Sequence, residues 1–194
     1  MIKTTAMILE ELKQYASPAC KLSRMVKRGE YIPIIKGLYE TDASTPGYLL
    51  AGSIYGPSYL SFEFALAYYG LIPEAVYVFT SATYDKKKKK QFETSFGTFT
   101  YRDVPTEVYP LGVLIVHEGA YSYHIASPEK ALCDMLYTRQ PVANQKELKS
   151  LLFDDMRIDE TEFGKLNSDE IIMLGERYRS TNVQKLSRLI RRLK

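Results

Sequence analysis

The sequence predicts an α+β protein in two parts. Residues 1–44 form a small helix-and-ribbon module, and residues 45–194 form a larger domain of helices around an antiparallel sheet of about four strands. Three observations carry this expectation. Apolar residues recur at helical spacing toward both ends, runs rich in Val, Phe, Thr and Tyr fill the middle, and a polar connector at residues 41–44 divides module from domain. With 194 residues, 45% of them hydrophobic, the chain can bury a core of its own.

Residues 4–15 read as an amphipathic helix whose apolar positions are Ala6, Met7, Leu9, Leu12 and Tyr15. A second helix covers residues 18–28. Ser17 is a good N-cap, Pro18 suits the first helical position, and Gly29 can take the left-handed conformation that ends a helix. Leu22, Met25 and Val26 form its apolar stripe and leave Lys21, Arg24, Lys27 and Arg28 on the flanks. Apolar residues resume from Tyr31 to Tyr39, with Lys36-Gly37 at a turn. A basic helix followed by a ribbon is the pattern of a recognition helix and wing in a winged-helix DNA-binding domain. It is equally the pattern of a surface helix packed on a hairpin. Only one helix precedes the basic one, so a winged helix here is a trimmed version.

Thr45-Pro46 caps a helix through Tyr55, Gly56-Pro57 ends it, and Ser61 caps another that runs to Gly70. Strands are expected at residues 76–80, 95–101, 111–116 and 121–125, the last two as a hairpin. Ser127-Pro128 opens a helix with Ala131, Leu132, Met135 and Leu136 as its inner face. Residues 144–153 and 168–178 are helical, joined by an acidic connector at 154–163. Asn182 caps the last helix, in which Val183, Leu186, Leu189, Ile190 and Leu193 face inward while Lys185, Arg188, Arg191, Arg192 and Lys194 stay solvated.

The net charge of +3 is unevenly spread. Residues 1–40 hold seven basic against four acidic side chains, and residues 175–194 hold seven against one, around a slightly acidic middle. That distribution suits a polyanion or an acidic protein partner. The run Lys86, Lys87, Lys88, Lys89 and Lys90 cannot pair fully and belongs in water, on a loop between strands. It reads either as a solvated tip or as a phosphate-seeking or acidic-partner patch. The basic face of the last helix, Lys185, Arg188, Arg191 and Arg192, is a second such patch. No apolar run approaches the roughly 20 residues of a membrane span. Glu10, Glu11 and Lys13 interrupt the first segment, so no signal peptide is expected and the cytoplasm is the expected compartment. Cys20 and Cys133 have no partner at metal-ligand spacing and are expected to be buried free thiols.

Catalysis needs a nucleophile with a base, a metal cluster or a phosphate cradle. His117 and His124 share a hairpin without standing opposite one another. Glu129 and Asp134 share a helix with Lys130, where their ordinary role is helix-terminus electrostatics and an i,i+4 pair. No glycine-rich phosphate loop is present. A non-enzyme without cofactor or metal is expected, unless those four residues converge in one cleft.

Three phrases together resemble the AbiEi family of antitoxins from type IV toxin–antitoxin systems: KGLY at 36–39, GPSYLSFEFALAYYGLIPE at 56–74 and ASPEKALCDMLY at 126–137. The likeness runs from about residue 17 to 140. It implies a prokaryotic protein with an N-terminal winged helix that binds inverted repeats in its own promoter, and a second domain that counteracts a nucleotidyltransferase-like toxin without necessarily forming a stable complex. On this resemblance the DNA contacts fall on Lys21, Ser23, Arg24, Lys27 and Arg28, with Lys36 of the wing on phosphate. The short N-terminus departs from the fuller winged helices of the family, and a homodimer on a repeat would compensate. The rival expectation is a protein-interaction module that binds an acidic partner through its basic last helix and binds no DNA.

Overall fold

The computed structural model describes residues 1–193, for Leu193 the backbone alone, so the packing expected of Leu193 and Lys194 lies outside the described residues. The chain starts with β1 (Lys3–Thr4), α1 (Thr5–Glu11), α2 (Pro18–Lys27), β2 (Ile32–Ile35) and β3 (Leu38–Glu40). β3 lies between β1 and β2, antiparallel to both. The Thr4 hydroxyl accepts the Met7 N–H at 3.3 Å and starts α1. Ile8 and Leu12, one turn apart, form the inner face of α1 and join Leu22 and Tyr31 in a small core. Met7, expected on that face, is 49% exposed because it sits about 100° round the helix from Ile8. The Ser17 hydroxyl makes no capping bond, but Pro18 holds the first turn and Gly29, at φ +76, closes the last.

The larger part continues through a 3-10 turn (Gly47–Leu50) into α3 (Ala51–Ile54), then β4 (Tyr59–Leu60), α4 (Phe62–Tyr68), β5 (Val78–Thr83), β6 (Lys90–Thr94), β7 (Gly97–Asp103), β8 (Val113–Glu118) and β9 (Tyr121–Ala126). α5 (Pro128–Thr138), α6 (Gln145–Ser150) with a π-helical turn (Leu151–Asp155), α7 (Glu160–Gly164), α8 (Ser168–Arg177) and α9 (Thr181–Leu193) follow. The protein is α+β, but its large sheet is not the four-stranded antiparallel one expected. It has six strands in the order β6-β7-β5-β4-β9-β8, with β5–β7 and β4–β9 parallel. Beyond β5 the chain crosses to the sheet edge as β6, and the hairpin brings β7 back between β6 and β5. β4 and β6 escape sequence reading for local reasons. β4 is two residues long, too short to show a period, and β6 carries the end of the lysine run with Phe92 as its one large apolar residue. β4 is also the whole seam of the sheet, since it pairs with β5 through Tyr59↔Ala82 and Leu60↔Ser81 and with β9 through Leu60↔Ile125.

Further corrections concern caps and connectors. α7 lies inside the acidic stretch expected to be a connector, started by Asp159, whose carboxylate accepts the Glu162 N–H at 2.9 Å. Asn182 does not cap α9, which begins before it. Its buried amide donates to the carbonyls of Leu136, Arg139 and Gln140 and accepts the Val142 N–H. Cys20 lies exposed on α2, whereas Cys133 is buried and burial pushes its thiol pKa up.

One core runs under α3, α4, α5, α8 and α9 against the large sheet, and it includes Ile34 and Leu38 of the ribbon. The small module is therefore packed onto the larger part. Glu40, fully buried, reinforces the junction by accepting from the Met1 ammonium, the Thr41 N–H at 2.8 Å and the Tyr121 hydroxyl at 2.9 Å. No described helix is long and apolar enough to cross a membrane.

Candidate nucleic-acid interface

Leu22 anchors α2 in the small core and turns Ser23, Arg24 and Lys27 outward. Between α2 and the ribbon runs a groove of about 460 Å³ with Ser23, Lys27 and Lys36 on its rim and Leu22, Val26 and Ile35 along its floor. Gly37, at φ +87, makes the turn that carries Lys36, and its carbonyl accepts the Thr5 N–H at 2.9 Å. Arg24 and Lys27 have no ion-pair partner among the described residues. The other two expected contacts are partly engaged. Lys21 lies 4.7 Å from the centre of the Tyr15 ring, and Arg28 Nε pairs with Glu30 at 2.8 Å. The structure thus gathers Ser23, Lys27 and Lys36 on one groove with Arg24 beside it, and sets Lys21 and Arg28 apart.

The lysine run is not the free hairpin tip expected. Lys86 donates to the Gly56 carbonyl at 3.1 Å and lies 5.2 Å from the Tyr55 ring centre, and Lys90 is the first residue of β6. Only Lys87, Lys88 and Lys89 project, and they line a pocket of about 570 Å³ together with Arg102 and Arg139. Neither arginine was among the expected site residues. The alternation Phe99, Tyr101 inward in β7 puts Arg102 on the other face, which was readable; Arg139 follows the end of α5 and gave no signal. On the last helix, Lys185 is half-buried and donates to the Val142 carbonyl at 2.8 Å, which corrects its expected solvation. Arg191 pairs with Glu176 at 3.0 Å, while Arg188 and Arg192 are exposed.

The residues that would have supported catalysis do not converge. His117 Nδ1 sits 2.7 Å from Ser122 Oγ, His124 pairs across the ladder with Ile115, and Glu129 accepts the Asn167 N–H at 2.6 Å. Lys130 and Asp134 form the i,i+4 pair that their spacing allows, 3.0 Å apart, but they do so fully buried and not as helix-terminus electrostatics. Each oxygen of Asp134 has two donors: Lys130 and Tyr178 on Oδ1, Tyr59 at 2.9 Å and Ser61 at 2.7 Å on Oδ2. Ser61 thus turns its hydroxyl into the core instead of capping α4. Burial first, and then the Asp134 charge, push the Tyr59 and Tyr178 hydroxyls well above the ordinary tyrosine range, so both remain donors. The arrangement is closed and satisfied, and it ties β4, α5 and α8 together. Among the described residues, no group of three His, Cys, Asp or Glu side chains is placed to hold a metal.

Compared with models of known protein families the chain matches none, and no curated protein matches it.

Proposed function

We propose that the chain is a non-enzymatic antitoxin of the type IV kind that represses its own operon in the cytoplasm. Residues 1–44 act as a trimmed winged helix on promoter DNA, as a homodimer across inverted repeats, and the larger domain counteracts a nucleotidyltransferase-like toxin. The observation that carries the DNA half is the grouping of exposed Ser23 and Lys27 on α2 with Lys36 of the ribbon around one groove, with exposed Arg24 on the same helix. A helix held by its own small core presents unengaged cations at a fixed spacing, which is what phosphate positioning requires. The antitoxin half rests on the three sequence phrases.

A gel shift with the upstream region of its own operon tests the first half. Arg24→Ala and Lys27→Ala each lower the salt slope of binding by about one unit, and Arg28→Ala, which removes a cation already held by Glu30, lowers it less. Equal affinity for a scrambled duplex would overturn the repressor reading. Co-expression with the neighbouring toxin gene tests the second half: growth is restored, and absence of rescue counts against it. Exposed Arg188 and Arg192 favour one alternative, an interaction module for an acidic protein partner. A tight complex in a pull-down from a protein that binds no DNA would favour that alternative.

A further inference from the structure

We propose that the larger domain binds a nucleoside triphosphate, its phosphates among Lys87, Lys88, Lys89, Arg102 and Arg139 and its base in an adjoining pocket of mainly apolar walls. The first pocket, of about 570 Å³, contains two acidic side chains, Glu63 and Asp103, and both are held by residues of the same pocket. Glu63 pairs with Arg102, whose guanidinium lies 4.1 Å from the Phe62 ring centre. Asp103 accepts the Thr83 hydroxyl and the Lys87 N–H, each at 2.6 Å. Lys88, Lys89 and Arg139 have no ion-pair partner among the described residues. Cations that ring a concavity focus their field on it, and that field selects a compact polyanion.

Arg139 has no structural duty in place of this one. A cation just past a helix usually compensates the terminal carbonyls. At the end of α5 that work is done by the Asn182 amide, which reaches the Leu136, Arg139 and Gln140 carbonyls, and by the Thr138 hydroxyl, which donates to Met135. The lysine loop is pinned as well, by Lys86 on the Gly56 carbonyl and by the Lys87 N–H on Asp103. Lys87, which lines this pocket, holds positive φ at 57°, as do Asp85, two residues before it, at 50° and Phe62, next to the lining residue Glu63, at 54°. Strain of that kind persists where the surroundings fix a particular loop shape.

The second pocket, of about 200 Å³, shares Glu63 and Arg139 with the first; Leu66, Ile72, Val76, Met135 and Met156 line it together with two more carboxylates, Asp155 and Glu74, the latter paired with Arg157. A basic pocket that shares two residues with a mainly apolar one holding carboxylates matches a ligand with a phosphate chain at one end and, at the other, a flat ring whose amino groups can donate to those carboxylates. A duplex backbone matches it poorly, since its bases are paired and stacked and none is free to enter.

Calorimetric titration of the full chain with ATP, GTP and inorganic triphosphate at low salt tests this. Both nucleotides bind, and inorganic triphosphate binds at least about tenfold more weakly because it leaves the second pocket empty. The double variant Lys88→Ala with Lys89→Ala weakens nucleotide binding at least about tenfold and flattens its salt dependence, with an unchanged melting curve, since both side chains are exposed. Val76→Asp brings the nucleotides down to the level of inorganic triphosphate. Absence of nucleotide binding, equal binding of inorganic triphosphate, or a short DNA duplex that displaces the nucleotide from these lysines at lower concentration would each overturn the proposal.

Discussion

Asp134 receives four donors in a place water does not reach, so its removal is felt in several directions at once. Asp134→Ala leaves the Lys130 ammonium buried without its carboxylate, and urea unfolding should show a loss of about 3–5 kcal/mol. Tyr59→Phe removes one hydrogen bond to a charged acceptor and should cost about 1.5–3 kcal/mol. The two losses will not add, because the second change deletes a donor whose acceptor the first has already removed. Glu40 supplies a pH test. Burial raises its carboxyl pKa, but the Met1 ammonium, the Thr41 N–H and the Tyr121 hydroxyl outweigh burial and hold it below the ordinary value. A lowered folded pKa means stability that is full above the unfolded value of about 4.3 and lost as pH falls through the folded value. The gap in urea midpoint between wild type and Glu40→Gln should therefore be widest near neutral pH and narrow below about pH 5. At this scale the i,i+4 spacing of Lys130 and Asp134 was legible and their burial was not. Burial depends on Tyr59 and Tyr178, which lie 75 and 44 residues from Asp134 along the chain.

The elements that sequence spacing located best are those with a full period and a stop signal. α2 has Pro18 and Gly29 at its ends, and α5 opens on Ser127, whose hydroxyl accepts the Lys130 N–H at 3.1 Å. The ones it missed are short or chemically atypical: β4 with two residues, β6 inside a charged run, α7 inside an acidic one. The same limit applied to the candidate sites. Helical spacing grouped Arg24 and Lys27, but Arg102 and Arg139 meet the lysine loop only through the parallel β5–β7 pairing and the end of α5. The loop itself can be probed with glycine. Lys87→Gly relieves a left-handed residue and should leave stability unchanged or raised by up to about 1 kcal/mol. Lys90→Gly, inside β6, should lower it by about 0.5–1 kcal/mol in the same urea assay.

At the scale of the molecule, the small module and the large sheet share a core through Ile34 and Leu38, so they should unfold together. Leu38→Ala should cost about 2–5 kcal/mol and shift the hydrogen-exchange protection of α2 and of β5 by similar amounts. Protection lost in α2 alone would mean that the module opens independently. The two-residue seam at β4 also sets an order of events on the ribosome. The strands β5, β6 and β7 are complete once Asp103 has been made, and they can pair with β4 at once. The far side of Leu60 must wait for Ile125. Until then the growing chain presents a bare strand edge at the centre of its future sheet, the point at which a nascent copy is most exposed to mispairing with its neighbours.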